Sequence, residues 1–98
     1  SNKHFHIGEG VYVIHKNKYD IYEAVIDNII GYKYHVSYPD YPNDNETVNG
    51  TDRILKMSKQ NNDIFFYQES ERLKKEAELQ KNRKKRKYTR RKKSTEQT

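Results

Sequence analysis

Residues 32–38 read YKYHVSY. Tyr32, Tyr34, Val36 and Tyr38 fall on one side of an extended chain, and Lys33, His35 and Ser37 on the other. An aromatic or β-branched residue at every second position is the period of a strand with one buried face. Working towards the N-terminus, Gly31 punctuates the chain, and residues 21–30, IYEAVIDNII, repeat the pattern. There Tyr22, Ala24 and Ile26 share one face, with Glu23 and Asp27 on the other. Two such runs about a glycine predict a β-hairpin. Further upstream, residues 10–15, GVYVIH, predict another strand, separated from the hairpin by the polar turn KNKYD at 16–20. Downstream, PDYPNDN at 39–45 is a loop on its prolines, Asp and Asn. Residues 46–49 predict a short strand before Gly50, and TDRILKM at 51–57 a last one, with Ile54 and either Leu55 or Met57 inside. Short strands with turn signals between them predict a mainly β unit, a small curled sheet or barrel.

From residue 62 the texture changes. Asp63 is a candidate helix cap, with Phe65 and Phe66 in the first turn. The run QESERLKKEAELQKNRKKRK at 68–87 has strong helix formers and neither Gly nor Pro. Phe66, Leu73 and Ala77 lie on one helical face, and Glu71 and Lys75 are spaced for an ion pair. Only the early part has anything to bury, so docking is expected near residues 65–73 and fraying past Gln80. The expected boundaries are a barrel over 5–60, a helix over 61–82 and a basic, disordered linker or tail over 83–98.

Charge separates these parts. The whole chain holds twenty Lys and Arg against fourteen acids, a formal +6. The thirteen residues 81–93 hold ten of those bases and no acid: Lys81, Arg83, Lys84, Lys85, Arg86, Lys87, Arg90, Arg91, Lys92 and Lys93. The remainder balances at −4, so the positive charge is local. A block of like charge repels itself and attracts polyanions. KNRKKRK followed by RRKK is similar to a bipartite nuclear import signal, and ten cations also predict contact with nucleic-acid phosphates through counterion release. Tyr88 is the only aromatic there, so backbone contact without base readout is expected.

The chain has no cysteine, hence no disulfide framework and no thiol nucleophile. His4, His6, His15 and His35 lack the spacing and companions of a zinc set. No apolar run approaches the roughly 18 residues of a membrane span. Asp40, Asp44 and Glu46 share one loop, but acidic turn residues are commoner than a paired acid–base site. No phosphate-loop, dinucleotide or zinc-protease string occurs. The expectation is a module with no catalysis, no cofactor and no metal.

Three strings in order resemble the chromo barrel domains of the MRG/MSL family, subunits of histone acetyltransferase and deacetylase complexes. FHIGEGVYVIH at 5–15 with IYEA at 21–24 is similar to the family's opening strands. YKYHVSYPDY at 32–41 resembles its strand running into a Tyr and a second aromatic three residues on, and DRILK at 52–56 its closing strand. The tudor-knot of MYST-type acetyltransferases shares the last two strings. The resemblance covers about residues 5–60. It implies a chromo/tudor-like five-stranded barrel with a C-terminal helix, nuclear localisation, and an aromatic cage for methylated lysine on the histone H3 tail. A methylated ammonium keeps its charge but is weakly hydrated, and ring faces offer it a negative quadrupole. Carried over, the cage positions are Tyr22, Tyr38 and Tyr41, with His15 beside them. Asn45 stands where the family has a cage Trp, and Val48 where it has a structural one; of an acidic pair only Glu46 remains. Three expectations follow from Asn45: an open or weak cage, one admitting a lower methylation state through a hydrogen bond to a remaining N–H, or a cage that does not function. Asp40 and Glu46 are the expected histone peptide contacts. Tyr12 and Tyr19 are candidates to replace the missing wall. The basic arm is then expected on nucleosomal DNA. The resemblance also implies a further domain after Thr98, all-helical in the MRG case and acetyl-CoA-binding in the MYST case. Two readings compete: a nucleic-acid-binding barrel with no methyl-lysine pocket, and the targeting module of a MYST histone acetyltransferase.

Overall fold

Gly31 and Tyr32 are the two-residue loop of the central hairpin. Gly31 sits at φ 61°, at the position that a II′ hairpin reserves for glycine. A computed structural model of the chain describes the backbone of residues 4–97 and the side chains of residues 4–82. The strands are β1 (Gly10–Ile14), β2 (Ile21–Ile30), β3 (Lys33–Ser37), β4 (Glu46–Asn49) and β5 (Ile54–Lys56). A 3-10 turn, η1 (Pro42–Asp44), precedes β4, and one helix, α1 (Lys59–Gln97), follows β5. The chain divides into two compact units, Ser1–Phe65 and Phe66–Thr98.

All pairings are antiparallel, in the order β4-β3-β2-β1-β5. In a flat sheet the outer strands β4 and β5 lie four spacings apart, about 19 Å. Yet Glu46, opening β4, meets Arg53, just before β5, at 2.9 Å. The sheet has therefore curled until its edges meet. A bulge in β2 helps: Ile26 pairs with Val36 and Asn28 with His35, leaving Asp27 as the extra residue. Bulges bend the strand and increase its twist. The Asp27 carboxylate accepts the Ser37 hydroxyl and lies 3.8 Å from His35 Nε2.

Curling turns one face of every strand inward. Val11 and Val13 of β1, Ala24 and Ile26 of β2, Val36 of β3, Val48 of β4 and Ile54 of β5 form one cluster with Phe5 and Tyr38. Full burial of each Val or Ile stabilises by about 1.5–3 kcal/mol. Val48, where the resemblance implies a structural Trp, is a buried member of this cluster. Phe5 meets Tyr34 edge-on at 6.2 Å, and Lys56 lies 4.5 Å above its ring. Lys56 also donates to the His4 carbonyl and to Glu9, tying the N-terminal segment to the end of β5.

Tyr12, between two core valines, points out of the opposite face. It is 3 % exposed, its hydroxyl donates to Asn62 Oδ1 at 2.7 Å, and its ring stacks on Phe65 at 4.9 Å. The first turns of α1 thus cover the outside of β1, and Tyr12 has no part in a cage. Tyr19, the other substitute, is 83 % exposed in the β1–β2 turn and does not line the cleft described below.

The helix starts earlier than Asp63. Ser58 Oγ accepts the Asn61 amide at 3.2 Å, a standard N-cap bond, while Asp63 lies inside the helix and pairs with Lys59. The helix extends from Lys59 to Gln97, a run with no Gly or Pro to end it. In the second unit, Arg72 bonds Glu69 at 2.8 Å and Glu76 at 3.3 Å, and Lys74 pairs with Glu71. Each such surface pair is worth a few tenths of a kcal/mol. Of the residues expected to dock, Phe65 packs on β1, whereas Phe66 and Leu73 are more than half exposed.

Candidate functional site

In an antiparallel sheet, the end of β1, the start of β2, the end of β3 and the start of β4 share one rim. The start of β5 joins them, because β5 runs against β1. The residues singled out by resemblance occupy those positions. A cleft of about 500 Å³ opens there, lined by Tyr22, Tyr38 and Tyr41 together with His15, Asn45 and Glu46. Asp40 is exposed and is not among the lining residues, since its side of the β3–β4 loop turns to solvent.

The three tyrosines are not equivalent. Tyr22 and Tyr41 stand at 89° to each other with centroids 5.6 Å apart, in an edge-to-face contact. His15, which also lines the cleft, is tilted against Tyr22 with ring centroids 5.9 Å apart. Tyr41 is 45 % exposed and presents much of its ring to the cleft. Tyr38 is 7 % exposed and belongs to the core cluster, so it forms the floor.

A polar network fixes that floor. The Tyr38 hydroxyl donates to Glu46 Oε2 at 2.5 Å. Arg53 donates to the same carboxylate twice, at 2.9 Å and 3.2 Å, and its Nε–H reaches the Ile14 carbonyl at 2.7 Å. The Ile14 amide answers by donating to the Arg53 carbonyl at 2.8 Å. Burial, then the hydrogen bond to Glu46 and its charge, push the Tyr38 phenol well above its ordinary value. It stays a donor and cannot act as a base. Burial alone lifts the Glu46 carboxyl, but the Arg53 and Tyr38 hydrogen bonds and the charges of Arg53 and Lys16 outweigh it and hold the group below its usual range. Both Glu46 oxygens are thus engaged inside the protein. Glu46 clasps the two sheet edges, rather than standing free as the expected peptide contact.

Asn45 also has internal work. Its Oδ1 accepts the Tyr38 amide at 2.9 Å. The Tyr41 amide donates to the Tyr38 carbonyl and the Asp44 amide to the Tyr41 carbonyl, at 3.0 and 2.9 Å. These bonds hold the loop that carries Tyr41. They commit one Asn45 lone pair, which weakens the expectation that this residue accepts an N–H from a partly methylated lysine.

Sequence reasoning missed Lys16, Lys18, Asn43 and Arg53, which line the same cleft. The two lysines lie in the KNKYD turn, which the order of strands places beside Tyr22. His15 fixes that turn: its Nδ1 accepts the amides of Asn17 and Lys18 at 3.1 and 3.2 Å. That geometry assigns the remaining ring proton to Nε2. Arg53 belongs to the DRILK string, but its bond to Glu46 follows only from closure of the sheet.

Among the described residues there is no group of three or more His, Asp or Glu suited to a metal ion, and no helix long and apolar enough to cross a membrane. Lys81 is exposed. The side chains of Arg83, Lys84, Lys85, Arg86, Lys87, Arg90, Arg91, Lys92 and Lys93 lie outside the described residues. Neither a family model, nor a curated protein, nor a solved structure matches this chain.

Proposed function

We propose that this chain is a non-catalytic chromatin module that holds a methylated lysine of a histone H3 tail in the rim cleft, while its basic arm contacts nucleosomal DNA. The observation that carries the reading is that Tyr22 and Tyr41, in edge-to-face contact, line one cleft together with the Tyr38 floor. Ring surface open to the cleft offers a weakly hydrated cation a negative quadrupole and apolar contact, about 0.5–2 kcal/mol for each cation–π contact. Arg53 and Glu46 neutralise each other, so the floor does not repel the ammonium. Binding through such contacts is weak, and the arm supplies avidity on a nucleosome. Membership of an acetyltransferase or deacetylase complex belongs to the same proposal through the MRG/MSL resemblance, and the MYST-type tudor-knot offers the same role beside an enzyme.

Lys16 and Lys18 in the cleft favour a second reading, a nucleic-acid-binding barrel with bases on Tyr22 and Tyr41 and phosphates on the lysines. Titration of methylated and unmethylated H3-tail peptides and of DNA, each at two salt concentrations, separates the two. Tyr41→Ala is the informative variant because Tyr41 stands on a loop outside the core. It should abolish the preference for methylation and spare DNA binding. Tyr38→Ala is a poor test, since it removes a core ring at a cost of about 3–5 kcal/mol. Affinity indifferent to methylation and falling steeply with salt would favour nucleic acid instead.

A further inference from the structure

The β1–β2 turn is built to hold two cations at the cleft. Lys16 and Lys18 both line it, on the side of Tyr22. The turn is closed by the His15 amide to the Asp20 carbonyl at 2.7 Å and by the Tyr19 amide to the His15 carbonyl at 3.2 Å. The His15 ring accepts two further amides, and Tyr19 takes a left-handed φ of 62°, a conformation that non-glycine residues adopt only when their surroundings fix it. Neither lysine has a carboxylate within 4 Å among the described residues, although the charge of Lys16 reaches Glu46. Asp44 lines the cleft from the other loop, in η1. The cleft is therefore cationic beside Tyr22 and acidic beside Tyr41.

We infer that the module selects a methyl-lysine whose neighbour, on the side that meets the β1–β2 turn, carries an anionic side chain, either acidic or phosphorylated. This rests on the methyl-lysine reading of the same cleft. A lysine ammonium is a compact point charge that suits carboxylate and phosphate alike. With the methylated ammonium in the cleft, an extended peptide advances about 3.3 Å per residue. The residue one or two places away then meets Lys16 and Lys18. A basic residue there meets two like charges, whereas one on the opposite side meets Asp44. The ligand is thus a basic tail interrupted by one anion next to its mark.

The test uses the full chain and H3-tail peptides carrying trimethyl-lysine, with the residue one or two places to either side made Ser, phosphoserine, Glu or Lys. Unmethylated peptides of each type run in parallel. On one side of the mark, Glu should tighten binding about fivefold over Ser and phosphoserine about tenfold, with Lys weaker than Ser. The advantage should shrink at high salt. In Lys16→Gln/Lys18→Gln the differences among the four peptides should collapse. Binding that depends on methylation but ignores the neighbour, or that keeps its anion preference in the double variant, overturns the inference and leaves the reader intact. Binding that never depends on methylation overturns the reader and the inference with it. Anion dependence without methylation dependence, matched by an oligonucleotide and abolished in the double variant, overturns both in favour of nucleic acid.

Discussion

Glu46→Gln is the sharpest perturbation of this fold, because it keeps the shape of the clasp and removes its charge. Glu46 Oε2 lies 2.9 Å from Arg53 Nη2, and both side chains are 26 % exposed. At an effective dielectric of about 20, two unit charges at that distance attract by roughly 6 kcal/mol gross. Solvent screening, side-chain ordering and desolvation take back most of it. The net value of hydrogen bonds to a charged group is about 1.5–3 kcal/mol. A loss of about 2 kcal/mol at neutral pH is expected, since a Gln carbonyl in place of Oε2 can still accept from Tyr38 and Arg53 Nη2, while its amide opposes Arg53 Nη1 and the charge is gone. For a domain of this size that is a fall in Tm of about 10 °C. The pH dependence identifies the cause. The folded state holds the Glu46 carboxyl below its ordinary value of 4.5. A depressed carboxyl contributes stability that is present above the unfolded value and is lost as pH falls through the folded one. Melts followed by circular dichroism from pH 8 to pH 3 should show a gap between the two proteins that is full at pH 7 and closes below about 4.5. A gap of the same size at pH 3, or none at pH 7, would refute the clasp.

Three further outcomes follow from the same geometry. Tyr12→Phe keeps the stack on Phe65 but leaves Asn62 Oδ1 without its donor, so denaturant unfolding should report a loss of about 1 kcal/mol. Ser58→Ala removes the N-cap of α1 and should also cost about 1 kcal/mol, whereas Asp63→Ala should cost only the few tenths of an exposed pair with Lys59. Replacing Lys84, Lys85, Arg86 and Lys87 by Gln should flatten the plot of log affinity for DNA against log salt by about 0.9 for each phosphate no longer neutralised, and leave the melting temperature unchanged.

Much of the fold can be read locally. The alternation at 32–38 and the glycine before it specify a hairpin without reference to anything distant, and β2 and β4 fall on their expected residues. The cage positions came from resemblance to a family, and the shared rim then follows from strand order alone. What local pattern could not supply is closure. Glu46 and Arg53 are ordinary charged residues in sequence, and only the meeting of two sheet edges joins them. Tyr12 was ambiguous for a related reason: GVYVIH is apolar on both faces, the mark of a strand covered on both sides, and the helix that covers the second lies some fifty residues away. The sequence pattern points to Asp63 as the cap of α1, and the true cap, Ser58, depends on where β5 releases the chain. Lys16 and Lys18 read as turn residues until the turn is placed beside Tyr22.

The central claim, that Tyr22 and Tyr41 shelter an alkylated ammonium over Tyr38, is tested most directly by NMR. A trimethyl-lysine H3-tail peptide is titrated with the full chain, and its N-methyl proton resonance is followed. Lying against ring faces, those protons should move upfield, with matching shifts in the ring resonances of Tyr22 and Tyr41 and none of either in Tyr41→Ala. An N-methyl resonance that stays in place when the peptide is fully bound would contradict the account.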